Sequence, residues 1–323
     1  MRTLYIDRKN ARIDMDRNRL TVHIEGQRAN FSVPTHVLEM LVICADVEFS
    51  SLLLTRLTRD GVTVAFINPR QIDTCTLTHG MMHNNAERRL LQYKIINCEK
   101  QQLFFAKRLV RDKLRGQRAM LSKALKKRPD CRMVLLKVIE RFDAHIDRVM
   151  DVKSIDSLRG IEGAAGASFF EAYRSLFAPT LGFVGRNRRP PRDPVNVILS
   201  LTYTMLHAEA VRALFAIGLD PLMGIYHLPD YGRESLACDL VELFRPLAER
   251  WIWRMFAEEI VRPEHFSSST SPGEPPCLLG KRGRELYYQE YEKISNGWRR
   301  LMRRTLKHWL SIIEIDVRDN FHG

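Results

Sequence analysis

An α+β fold, with a small N-terminal β-rich domain followed by a larger all-α C-terminal domain, is what this 323-residue sequence predicts. Three observations carry the prediction. Through the first 80 positions, short apolar runs alternate with polar residues at the period of strands. From about Asn84 the apolar spacing changes to i, i+3, i+4, the period of helices. The length accommodates two cores, while no apolar run approaches the ~18–20 residues that span a bilayer. The expected domains are residues 1–80 and 81–323.

The elements follow in chain order. TLYIDRKNARIDMDRNRLTVHIEG has short apolar runs split by charged turns, and Leu20, Val22 and Ile24 alternate with polar partners. HVLEMLVIC, then FSSLLLTRLTRDG stopped by Gly61, then VTVAFIN, predicts strand–helix–strand, closed by a turn at Asn68-Pro69. This first part carries no chemistry of its own and is expected to serve self-association or the docking of a partner. AERRLLQYKIINCEKQQLFFAKRLVRDKLRGQRAMLSKALKK then repeats at helical spacing until Pro129 breaks it. RMVLLKVIERFDAHIDRVM predicts a further helix.

SLRGIEGAAGASFFEAYRSLF places Gly160, Gly163 and Gly166 around Glu162. In a helix interior each glycine costs roughly 1 kcal/mol against alanine. Their benefit is close approach, of a neighbouring helix or of a phosphate backbone. Arg186, Arg188, Arg189 and Arg192 occupy the proline-punctuated GRNRRPPRDPV, which cannot be helical. Guanidinium groups on such a loop suit bidentate phosphate contacts. The next helix runs from near Pro194 to Gly218. A connector from Asp220-Pro221 delivers His227, and Glu234–Arg245 forms another helix, with Asp239 and Glu242 on one side at i, i+3. Residues 264–277 read as a mobile loop. GWRRLMRRTLKHWLSIIEI closes the chain as a basic amphipathic helix, suited either to a membrane surface or to a core with a DNA-facing side.

Charge narrows the function. The formal net charge is +13, yet residues 1–77 hold 10 Lys and Arg against 9 Asp and Glu, so +12 belongs to the remainder. A polyanionic partner follows, either nucleic acid or an anionic membrane surface, and the asymmetry favours nucleic acid. Residues 107–128 alone hold ten Lys or Arg and one acid, Asp112. Six cysteines without a C-x-x-C pair argue against a zinc ribbon and fit reduced thiols in a cytoplasm. The start, MRTLYIDRKNARID, lacks the apolar core of a signal peptide.

Into this basic part fall Glu162, His227, Asp239 and Glu242. Each singly is more often a surface or structural residue. Together, a carboxylate–imidazole–carboxylate cluster is costly to bury unless a metal or close pairing neutralises it. In a basic protein that points to a divalent cation acting on a phosphodiester.

Several separated blocks occur in a recognisable order: R-G-I-E-G at 159–163, R-N-R-R-P-P-R-D-P-V-N at 186–196, G-I-Y-H at 224–227 and S-L-A-C-D-L-V-E-L-F-R-P at 235–246. With them the chain resembles, over essentially its whole length, the universal integrase/endonuclease family of CRISPR spacer acquisition. The resemblance implies an N-terminal β domain that dimerises and a helical domain that holds Mg²⁺ or Mn²⁺. Carried over by position, the metal-binding and catalytic residues become Glu162, His227 and Asp239, with Glu242 an acidic auxiliary. It further implies that protospacer 3′-hydroxyl ends are joined to CRISPR repeat DNA by transesterification, with a small bridging adaptation protein linking two integrase homodimers. Arg186, Arg188, Arg189, Arg192 and the 107–128 run would hold DNA backbone, with His207 and Arg233 as further positioning residues. Cys238 stands where an aliphatic residue is more usual, and the region after 263 matches weakly. Two other readings use the same residues: a stand-alone branched-DNA nuclease or transposon-type integrase, and a catalytically idle DNA-binding scaffold. A cytoplasmic protein with no membrane partner is expected.

Overall fold

The computed structural model describes residues 3–25, 30–68, 71–81, 83, 85–187, 190–267 and 276–319. As expected, a β-rich N-terminal part precedes a helical remainder. Strands β1 (Thr3–Ile6), β5 (Met40–Ile43), β7 (Thr63–Asn68) and β8 (Gln71–Thr78) form one sheet in the order β1-β5-β7-β8. Strands β4 (Phe31–Pro34), β3 (Arg19–Ile24), β2 (Ala11–Asp16) and β6 (Val47–Phe49) form the other, in that order. The β2–β3 hairpin turns over Arg17 and Asn18, both at positive φ, which matches the twist of a two-residue hairpin.

Alternation decides what each strand face meets. Ala11, Ile13, Leu20 and Val22 point into an apolar cluster with Leu41 and Ile43. Leu53 and Leu57 of α1 (Ser51–Arg59) complete it. The opposite face of β5 presents Met40 and Val42 to the helices, in the cluster that also holds Leu109, Phe142, Phe169 and Tyr287. A period of two thus gives the central strand two apolar faces and one core on each side. Helix α1 starts on Ser50, whose hydroxyl accepts from the Leu53 N–H, and ends before Gly61 at φ +78.

The predicted helical repeat from Ala86 is two helices, α2 (Ala86–Ile96) and α3 (Glu99–Lys127). Asn97 closes the first with its N–H on the Tyr93 carbonyl, and Cys98 turns extended before the second begins. After α4 (Arg132–Val149) and α5 (Ile155–Arg174) comes α6, Pro194–Ile217, capped by Asp193 and ended by Gly218 at φ +80. It is buried on all sides and forms the axis of the helical part.

Helix α7 (Ser235–Ala257) departs from expectation: it passes through Pro246 instead of ending at Arg245. The proline ring packs on α3 at Gly116, where a Cβ would lie 2.9 Å from Pro246 Cγ. That contact offsets the hydrogen bond the proline cannot donate to the Glu242 carbonyl. The tail belongs to α8 (Lys281–Asp319), whose Met302, Leu306, Leu310 and Ile313 join Leu214, Leu240 and Phe244 in a third apolar cluster. Its apolar side is therefore core-packed, and no described helix is long and apolar enough to cross a membrane. Arg299 of α8 is buried and donates to Glu209 on α6 and Thr3 on β1, each at 2.6 Å, tying the helices to the first sheet. Most of the loop expected at 264–277 lies outside the described residues.

Candidate metal centre and nucleic-acid interface

The candidate residues meet where α3, α5 and α7 pack beside the connector from Asp220. Lys113 of α3 is 4 % exposed, and its ammonium lies between two carboxylates. It donates to Glu162 Oε1 on α5 and sits 2.6 Å from Glu242 Oε2 on α7. Glu242 is buried, and its other oxygen, Oε1, lies 2.9 Å from Arg245 Nη1. Burial raises the carboxyl of Glu242, but Arg245 and Lys113 outweigh it and pull it down to about 2. For Lys113, burial opposes the charge, and Glu242 with Glu162 still holds the ammonium above its ordinary range.

Beneath this pair lies a polar network on α3, α6 and α7. The Arg245 guanidinium stacks over the Tyr203 ring at 4.8 Å. The Tyr203 hydroxyl donates to Glu249 Oε1 at 2.9 Å, and Gln117 Nε2 reaches Glu249 Oε2 at 3.5 Å. Glu249 is fully buried, and desolvation raises its pKa despite these donors.

Asp239 does something different from its expected role as a ligand. Its Oδ2 accepts the N–H groups of Ile225 (2.6 Å) and Tyr226 (2.9 Å). Its Oδ1 accepts the N–H of His227 at 2.9 Å and meets the ring Nδ1 of His227 at 2.6 Å. The carboxylate has no surface exposure, and four short contacts occupy its oxygens. A carboxylate only accepts, so His227 carries its proton on Nδ1 and, when neutral, presents a lone pair on Nε2. Asp239 is thus the orienting partner of His227. Glu242, one turn along, lies with Glu162 at the Lys113 ammonium. Gly224 permits this turn, since a Cβ there would fall 2.3 Å from the His227 carbonyl oxygen.

The set suits a hard divalent cation: two carboxylates on one point, an imidazole held by its other nitrogen, and a buried Glu242 oxygen that meets Lys113 without hydrogen-bond alignment. Among the described residues, no group of three or more His, Cys, Asp or Glu side chains stands at ligand spacing. The Lys113 ammonium occupies the point where the two carboxylates converge.

The expected DNA-contacting residues divide. Arg192 is exposed. Arg188 and Arg189 lie outside the described residues. Arg186 turns inward, donating to the Asn187 carbonyl, Asn196 Oδ1 and Ser200 Oγ, so it builds the loop instead of presenting itself to phosphate. His207 meets Glu234 Oε2 at 3.1 Å, and Arg233 holds the Leu228 carbonyl and Ser235 Oγ. Within the 107–128 run, Lys113 faces inward, Arg118 pairs with Asp143, Arg128 with Asp130, Lys107 donates to the Met150 carbonyl and Arg108 lies over the Phe104 ring, while Lys123, Lys126 and Lys127 line a groove with Arg250 and Arg254. Around Gly160, Gly163 and Gly166 no neighbour stands within 4 Å of an added Cβ, so helix packing does not explain them.

Sequence reasoning passed over Lys113, Gln117, Arg245 and Glu249. The signal was present for two of them: Val110, Lys113, Leu114, Gln117, Leu121 and Ala124 form one buried helical stripe, with a cation and an amide where aliphatics are due.

The family model described as CRISPR associated protein Cas1 matches residues 4–293. A CRISPR-associated endonuclease Cas1 of Thermodesulfovibrio yellowstonii is 38 % identical over 294 residues, 91 % of each chain. Among solved structures, a casposase bound to integration product superposes with a TM-score of 0.83 at 17 % identity, covering 97 % of this chain and 90 % of that one. A Cas6-RT-Cas1–Cas2 complex gives 0.80 at 19 % identity, over 97 % of this chain and 35 % of the other.

Proposed function

This chain belongs to the Cas1 family, the endonuclease and integrase family of CRISPR adaptation, and from that premise we propose that it joins protospacer 3′-hydroxyl ends to CRISPR repeat DNA by transesterification. The observation that carries the reading is the convergence of Glu162 and Glu242 beside a His227 whose Nδ1 is tied to Asp239. Glu162, His227 and Glu242 would hold Mg²⁺ or Mn²⁺, with Asp239 as the positioning residue. When bound, such a cation supplies Lewis-acid stabilisation of phosphate charge. His227 is kept in one tautomer and orientation, and Arg245 keeps Glu242 ionised and aimed. The incoming 3′-oxygen forms a bond to phosphorus as the bond to the departing 3′-oxygen breaks. The number of phosphodiesters is unchanged, and neither a serine nor a cysteine nucleophile is needed.

Residues 81–323 then form the catalytic, DNA-binding part, and residues 1–80, which contribute none of these side chains, serve dimerisation and partner docking. A small Cas2-type protein is the expected bridging partner, in keeping with the complex named above. The exposed Arg192 and the lysines near the end of α3 are the proposed backbone contacts. The protein works in the cytoplasm.

The test presents short duplexes with 3′-hydroxyl ends to a supercoiled repeat-bearing plasmid, with Mn²⁺ or Mg²⁺ and the bridging partner. Joined product is expected from the native protein and not from Glu162→Gln. Equal product from both refutes the site. DNA binding without joining or cleavage by the native protein moves the assignment to an idle scaffold.

A further inference from the structure

We propose that Lys113 is a built-in counter-ion for the metal centre: it holds Glu162 and Glu242 together in the metal-free protein, and a divalent cation binds by displacing it. The inference rests on the metal reading above and adds to it what controls metal entry.

Two carboxylates brought to one point inside a protein repel unless a cation stands between them. Arg245 already pairs with Glu242 through Oε1. Among the described residues, Lys113 is the cation paired with both, reaching Glu162 Oε1 and Glu242 Oε2. Those are the oxygens a divalent ion would take, so ammonium and metal compete for one position.

The structure also contains somewhere for the ammonium to go. Gln117 lies one turn along α3 on the same face, four residues from Lys113 and within reach of it. Gln117 is 2 % exposed, and its Oε1 is buried with no hydrogen-bond partner. Its Nε2 meanwhile approaches Glu249 at 3.5 Å. An unmet acceptor beside a buried carboxyl is a landing position for a cation withdrawn from the carboxylate pair. A purely structural lysine would require neither the shared oxygens nor the empty acceptor.

The test measures Mn²⁺ affinity of the full chain without DNA, by electron paramagnetic resonance of free Mn²⁺, together with thermal unfolding with and without Mn²⁺. Lys113→Met should bind Mn²⁺ more tightly, on the order of tenfold, which is typical of coupling between competing ligands. It should also melt lower without metal and gain more from Mn²⁺ than the native chain. If Lys113→Met does not fold, Lys113→Gln is measured in its place with the same expected tightening. Unchanged or weaker Mn²⁺ affinity overturns the proposal, since a structural ion pair predicts that direction. Glu162→Gln separates the two levels of inference. Native binding that is lost in Glu162→Gln upholds the metal reading whatever Lys113 does. Native binding that is absent, or indifferent to Glu162→Gln, overturns the metal reading and the counter-ion with it.

Discussion

Replacing Asp239 by asparagine separates an orienting carboxylate from a metal-binding one. The substitution keeps shape and volume but leaves one acceptor oxygen where there were two. In the native protein these oxygens receive three backbone N–H groups and the His227 ring. Whichever way the amide turns, its NH₂ faces donors. With the oxygen kept toward Ile225 and Tyr226, the NH₂ opposes the His227 N–H and drives the ring proton from Nδ1 to Nε2. Two hydrogen bonds to a charged acceptor are then lost, each worth about 1.5–3 kcal/mol, and a buried N–H is left unmet. We expect a loss of about 3–6 kcal/mol, seen as a fall in Tm on the order of 10 °C. Strand transfer should drop about 10- to 100-fold, as for other partners that orient a ligating histidine. The assays are thermal unfolding in EDTA and strand transfer at saturating Mn²⁺. Were Asp239 a ligand, asparagine would relieve charge repulsion near Glu242 and leave metal-free stability equal or higher. An unchanged or raised Tm in EDTA therefore refutes the reasoning.

Other expectations follow from the same geometry. Gly116→Val should destabilise by about 1–3 kcal/mol and lower strand transfer, because a Cβ at 2.9 Å from Pro246 must push α7 away from α3 one turn from Lys113 and Glu242; urea unfolding checks it, and native-like stability counts against the close approach. His207 is raised to about 9, since burial, which lowers it, is outweighed by hydrogen bonds with Cys238 and Glu234. A raised histidine contributes stability that is full below its unfolded pKa near 6.5 and lost as pH climbs through about 9. The native chain should accordingly lose about 1–3 kcal/mol between pH 6 and pH 9.5, and His207→Gln should lose less, by urea midpoints at the two pH values. DNA affinity should fall with salt at a log–log slope of about −0.9 per duplex phosphate neutralised, and a flat response excludes a backbone-dominated interface.

Local rules were legible where one residue decides one geometry. Gly61 and Gly218 end their helices, and Pro194 opens one, as read from the chain, because a positive φ or a fixed proline φ acts within a turn. The break at Asn97 was not legible, since the apolar period runs on through it and only backbone geometry separates α2 from α3. Nor was the passage of α7 through Pro246, whose cost is offset by a glycine on another helix 130 residues earlier in the chain. For the site, residue types announced the chemistry: two acids at i, i+3 beside a histidine connector, in the basic part of the chain. Their division of labour stayed hidden, because Asp239 and Glu242 look alike in sequence.

By itself, then, the sequence determined the order of β-rich and helical parts, the concentration of positive charge in the second, and the acids and histidine that meet there. These depend on periodicity, composition and short motifs, which are properties of neighbouring residues. Only the tertiary structure decided that Asp239 serves the backbone and His227, that Glu242 joins Glu162, and that Lys113, one of ten cations in a basic run, is the one turned inward between them. Those roles follow from which buried atoms lie within hydrogen-bonding reach after three helices have packed. A one-dimensional pattern carries no record of that distance.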